Sequence, residues 1–101
     1  MTVRLVQETA SRDLDEILDF LEAEADGPVA LRYAVAFQSA FYRITKFPQL
    51  GAPRPKLGSD TRLVTVQPYL IFYDHLVAQD HVHVLRILHE RRNITAQLLK
   101  P

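Results

Sequence analysis

Four side chains near residue 90, Arg86, His89, Arg91 and Arg92, form the densest chemically capable group in this 101-residue chain. Cutting a phosphodiester through its 2′-hydroxyl needs a base, an acid for the leaving oxygen, and cations around the phosphate. The three arginines supply cations, and His89 supplies one proton-transfer group. A lone imidazole does not easily act as both acid and base in one cycle, so the set is thin for catalysis. It is sufficient for a simpler task, contact with a macromolecular target close to nucleic acid, where a few cations are enough. Structural uses compete with both readings. Arg86 can reach across a sheet to a carboxylate such as Asp74, and His89 can cap strand-end carbonyls. Arg62 stands apart at the mouth of a strand, where it either meets the same target or orders the loop before it.

Other constellations have weaker chemistry. His81-x-His83 places two imidazoles on one face of a strand, a partial metal site. No carboxylate or third histidine is set by spacing to complete it, although His75 lies nearby in sequence, so no metal is expected. Tyr69 and Tyr73, four apart on a strand, share a face and read as packing before they read as a platform for bases. The carboxylates around Asp13, Asp15, Glu16, Asp19 and Glu22 are spread too evenly for an acid–base pair and describe a solvated helix face. No cofactor is expected.

Composition narrows the class. Cysteine is absent, which excludes disulfides and thiolate metal sites and suits the cytoplasm. No apolar run approaches the roughly 20 residues of a membrane span, and residues 1–5 lack the pattern of a secretory signal. A formal net charge of zero argues against indiscriminate binding to a phosphate backbone. Charge is nevertheless uneven: eight acids face five bases up to Phe47, and seven bases face four acids beyond it. Two faces with different partners would explain that split.

The elements that must position these residues follow from periodicity. Residues 3–7 read as a short strand. Thr9 or Ser11 is expected to cap a first helix, whose Leu14, Ile17, Leu18 and Leu21 recur at i, i+3, i+4 and i+7. Asp26-Gly27-Pro28 ends it and opens a second helix from about residue 28 to 47. There Ala30, Ala34, Phe37, Phe41 and Ile44 keep helical spacing, and Leu31 and Val35 are expected to widen the stripe. Tyr33 and Tyr42 fall off that stripe. A proline- and glycine-rich loop over 48–60 leads to strands at 61–67, 69–77 and 81–88, an antiparallel meander. Ile94, Leu98 and Leu99 suggest a short terminal helix. The fold class is therefore α+β, ordered β-α-α-β-β-β, one domain over residues 1–101, with a small mostly antiparallel sheet and a helical hairpin packed on one face. The other sheet face is expected to be bare and available to a partner.

Several segments together carry a family resemblance. Pro48-x-x-Gly51-x-x-Arg54-Pro55-x-Leu57-Gly58 followed by Arg62, the run Tyr69-Leu70-Ile71-Phe72-Tyr73, and the stretch from Val84 through Arg91-Arg92-Asn93-Ile94 resemble successive parts of the RelE/ParE toxin superfamily. Asp13-Leu14-x-x-Ile17 with Phe20-Leu21 fits the family's first helix. The match covers almost the whole chain in the right order and is nearer the ParE branch. RelE-type relatives carry a basic residue after the tyrosine of the central strand, whereas Leu70 follows Tyr69 here. Glu90 stands where many relatives have a small residue, which places a carboxylate beside Arg91 and Arg92.

The resemblance implies the toxin of a type II toxin–antitoxin pair, causing growth arrest when free and neutralised by an antitoxin that wraps it with an extended tail. It implies DNA gyrase as the target, with Arg62, Arg86, His89, Arg91 and Arg92 as target contacts and DNA met only indirectly, through the antitoxin complex. The alternative is a RelE-like ribosome-dependent messenger RNA endonuclease using Arg86, His89, Arg91 and Arg92. By position, Leu21, Tyr33, Phe37 and Tyr42 are the expected antitoxin contacts. The chain supplies no disordered tail to cover its own sheet edge and helical groove, so a partner is expected to do so.

Overall fold

A computed structural model describes residues 2–100. Strand β1 (Val3–Val6) runs directly into helix α1 (Glu8–Glu24), and a two-residue turn leads to α2 (Gly27–Lys46). The loop beyond contains a short strand β2 (Ala52–Pro53), then β3 (Thr61–Val66), β4 (Tyr69–Leu76) and β5 (His81–His89). The five strands form one sheet in the order β1-β5-β4-β3-β2, with β1 parallel to β5 and the rest antiparallel.

Local chemistry explains most boundaries. α2 begins where the Asp26 carboxylate accepts the Val29 N–H at 2.8 Å, satisfying one of the helix's orphan donors. Pro28 follows in the first turn, where its missing N–H costs nothing. The capping expected for α1 is corrected. Gln7 is the N-cap and makes no side-chain cap, and its own N–H is still bonded to Val84 O on β5. The helix therefore starts at the first residue released from the sheet, ahead of Thr9 and Ser11. Thr9 is left inside the first turn with its buried hydroxyl lacking a hydrogen-bond partner.

The hairpin packs on one sheet face. Phe37, Phe41, Ile44 and Ala40 of α2 and Ala10 of α1 meet Tyr69, Ile71, Tyr73, Val82, Val84 and Ile87, with Leu14, Ile17 and Leu18 at the margin. Each large side chain fully enclosed there contributes about 1.5–3 kcal/mol relative to exposure. Leu31 and Val35 do not widen this stripe; they are 66% and 61% exposed. α2 meets the sheet along the side centred on Phe37 and Ile44, and these two residues project from the opposite side.

The expectation of a bare second face is also corrected. Phe72, Leu85, Leu88 and Leu99 form a second buried cluster, joined by Leu57, Leu63, Leu70, Ile94 and Leu98. The loop after α2 and the C-terminal segment cover this side. The expected terminal helix is a single 3-10 turn, Ala96–Leu99, with the Thr95 side chain accepting the Leu98 N–H. One turn is enough to seat Leu99 on the sheet.

Candidate functional site: the end of β5

Opposite Phe72 and Tyr73, β5 carries one residue too many. Phe72 pairs with Arg86 and Tyr73 with Val84, leaving Leu85 as the extra residue of a β-bulge. A bulge bends the strand and re-aims its side chains. Val84 and Ile87, three apart, accordingly both belong to the core under the helices, and Leu85 and Leu88 to the second cluster. Beyond the bulge β1 has ended at Val6, so this half of β5 has α1 beside it instead of a strand.

Arg86 joins three elements at this point. Its Nε and Nη2 donate to Asp13 Oδ2 and Oδ1 at 2.7 and 2.9 Å, a bidentate pair with α1. Its Nη1 donates to Leu98 O at 3.0 Å in the C-terminal segment. Asp13 Oδ2 also accepts the Ile87 N–H at 3.1 Å, which satisfies a backbone donor on the open edge of β5. The Asp13 hydrogen bonds hold the Arg86 guanidinium even more firmly charged than usual, ahead of the opposing effect of burial. The reach to Asp74 does not occur; Asp74 accepts instead from the Thr61 hydroxyl at 2.7 Å. Arg86 is thus bonded into the fold by both α1 and the C-terminal segment.

Arg62 is likewise bonded within the fold. Its Nη1 donates to Gln49 O and Gly51 O at 3.1 and 2.7 Å, ordering the loop between α2 and β3. The Tyr73 hydroxyl finishes that loop by donating to Pro48 O and accepting the Gly51 N–H, both at 2.8 Å. Burial raises the Tyr73 pKa, the Gly51 N–H opposing it. Tyr69 faces the same side, edge-on to Tyr33 at 5.9 Å and tilted against Phe37 at 5.8 Å, so the tyrosine pair is packing.

The remaining cations stand together at the end of β5. His89 packs edge-on against Tyr69 at 5.7 Å, and its Nδ1 accepts the Arg91 N–H at 3.1 Å, which leaves Nε2 as the outward nitrogen. Arg91 and Arg92 are exposed and, among the described residues, in no ion pair. Glu90 turns away from both and accepts from the Gln67 side chain at 2.9 Å. Beside them a hollow of roughly 270 Å³ opens between α1 and β5, walled by Glu16, Ile17, Phe20, Tyr69, His89 and Arg92. Phe20, 59% exposed, is the wall that site reasoning from sequence missed. Its signal was an aromatic lying off the Leu14/Ile17/Leu18/Leu21 stripe among carboxylates.

Of the residues expected to meet an antitoxin, Tyr42 is exposed, and Leu21 and Tyr33 are half-buried. Phe37 is corrected: it has no exposed surface and lies at the centre of the core. Among the described residues no group of three or more His, Cys, Asp or Glu could hold a metal ion, and no helix is long and apolar enough to cross a membrane.

Comparison with known proteins specifies the family of this β-α-α-β sheet domain. The model of the ParE toxin of the type II toxin–antitoxin system, parDE, matches residues 5–94, and the chain belongs to that family. It is 36% identical over 90 residues to Toxin ParE3 of Caulobacter vibrioides, covering 89% of this chain and 88% of that protein. Its fold is similar to a structure described as the chromosomal ParDE TA system from P. aeruginosa, with a TM-score of 0.64 at 24% identity over 88% of this chain and 96% of the other.

Proposed function

We propose that this toxin poisons DNA gyrase by protein–protein contact and that a co-expressed antitoxin neutralises it. The observation that carries this reading is the division of labour among the arginines. Arg86 and Arg62 are bonded internally, while Arg91 and Arg92, in no ion pair among the described residues, stand beside His89 and the Phe20-walled hollow. A phosphodiester-cleaving centre needs several cations converging on one phosphate with a separate acid and base. Two solvent-facing guanidinium groups next to a hollow that mixes apolar and charged walls suit a docking surface instead. Leu21, Tyr33 and Tyr42 remain the proposed antitoxin contacts.

Purified gyrase tests the target. Addition of the chain inhibits supercoiling or traps cleaved DNA, and Arg91→Ala with Arg92→Ala weakens the effect at least about tenfold without loss of fold. Transcript cleavage that requires translating ribosomes, with gyrase unaffected, would refute the proposal in favour of the RelE-like alternative.

A further inference from the structure

At the end of β5 a carboxylate stands among the cations. His89, Glu90, Arg91 and Arg92 make a β-turn closed by the Arg92 N–H, which donates to His89 O at 2.9 Å. Glu90 and Arg91 take its two central positions, and Glu90, Arg91 and Arg92 are all exposed. From there an extended glutamate side chain can reach either guanidinium group. A carboxylate so placed would occupy the donors that an anionic partner needs. Glu90 does not take that position. Its Oε2 accepts from the Gln67 side-chain amide at 2.9 Å, and it enters no ion pair among the described residues.

The backbone around Gln67 is anchored from two sides. The Tyr33 hydroxyl on α2 donates to Gln67 O at 3.2 Å, and the Glu90 N–H donates to Pro68 O at 2.9 Å. The turn between β3 and β4 is thereby tied through main-chain acceptors to the second helix and to the end of β5. Tyr69, just beyond the turn, packs edge-on against both Tyr33 and His89, at 5.9 and 5.7 Å. The Gln67 amide therefore starts from a fixed backbone beside Glu90.

We propose that Gln67 is a positioning residue of the toxin: its amide holds the Glu90 carboxylate away from Arg91 and Arg92, which keeps both guanidinium groups open to an anionic group of the target. This role rests on the reading of those arginines as target contacts. An amide holds the carboxylate by a charge-assisted hydrogen bond and, unlike lysine or arginine, adds no cation of its own to the surface. The contact it prevents, an exposed glutamate–arginine pair, is weak. Gln67 thus shifts the balance between two orientations of Glu90, and its loss weakens the toxin without silencing it.

Gln67→Ala, at an exposed position, tests this because it removes the amide and keeps both main-chain bonds of the turn. NMR of the isotope-labelled full chain reads the guanidinium groups directly. The Arg91 and Arg92 Nε–H signals move in Gln67→Ala, and the movement fades as added sodium chloride screens the new ion pair. Glu90→Gln in the same background abolishes it. In the gyrase supercoiling assay Gln67→Ala raises the concentration needed for half inhibition about threefold, the size of one exposed ion pair. Glu90→Gln then restores more activity in the Gln67→Ala background than it adds to the parent, the non-additivity of residues acting through one contact. Arginine signals unmoved by Gln67→Ala overturn the proposal, and so does movement that persists in the double variant or strict additivity in the assay. Gyrase unaffected by the parent chain refutes the target reading alone. Growth arrest on expression of the same variants then replaces the assay, and the NMR comparison decides the positioning role as before.

Discussion

Replacing Asp13 should show how strongly the end of β5 depends on α1. The carboxylate receives two guanidinium hydrogen bonds and one backbone N–H, at 2.7, 2.9 and 3.1 Å. Its side chain is 12% exposed, and that of Arg86 is 17%. Breaking a fully buried pair by removing one partner costs about 3–5 kcal/mol, whereas a fully exposed pair is worth about 0–1 kcal/mol. The geometry here lies nearer the first case, with residual solvent access, so Asp13→Ala should cost about 2–4 kcal/mol. At about 4–8 °C per kcal/mol for a domain of this size, the melting temperature falls by roughly 8–32 °C. Urea unfolding measures the loss directly. Hydrogen exchange should show the Ile87 amide exposed more than those deep in β4. Pairing Asp13→Leu with Arg86→Met removes the stranded charge, so the double variant should be less destabilised than the sum of the singles, with about 1–3 kcal/mol of coupling. A loss below about 1 kcal/mol for Asp13→Ala, or strict additivity, would show that the tie is incidental and would return Arg86 to the candidate target contacts.

Further expectations concern the loop between α2 and β3, and the surface. Tyr73→Phe removes a donor to Pro48 O and an acceptor for the Gly51 N–H, and should cost about 1–3 kcal/mol in urea unfolding. Burial raises the folded-state pKa of Tyr73 above the ordinary tyrosine value of 10.0. Its contribution is therefore complete below pH 10 and is lost as pH climbs through the higher folded value; Tyr73→Phe should blunt that alkaline loss, and an unchanged alkaline limb would contradict the assignment. Gly51→Ala would set a Cβ 2.6 Å from the Tyr73 hydroxyl and 3.0 Å from Leu63 O, so it should destabilise by about 1–3 kcal/mol, measured by thermal melting. Arg91→Ala and Arg92→Ala, at exposed positions in no ion pair among the described residues, should leave unfolding within about 0.5 kcal/mol of the parent while weakening action on the target.

Element order and the main core were legible in the sequence because they depend on local periodicity. The i, i+3, i+4 recurrence from Leu14 to Leu21 and from Ala30 to Ile44 specified two helices with one apolar side each. The β-branched runs around Ile71 and Val84 specified strands, and short connections made them neighbours. Family resemblance followed from the same segments. What local pattern could not supply was the partner of each polar side chain or the covering of each face. Arg86 takes Asp13, 73 residues away, because a bulge at Leu85 and the early end of β1 bring α1 alongside β5. Leu31 and Val35 looked like core because periodicity locates an apolar stripe without saying which side of the helix the sheet will occupy. The second sheet face looked bare because the spacing of Ile94, Leu98 and Leu99 shows an apolar segment without showing where it docks, yet one 3-10 turn and Leu57 suffice to bury Phe72 and Leu88. Spacing along the chain thus determined which elements form. Strand register, through the bulge and the unequal strand lengths, decided which arginines are tied inside the fold and which are left facing outward.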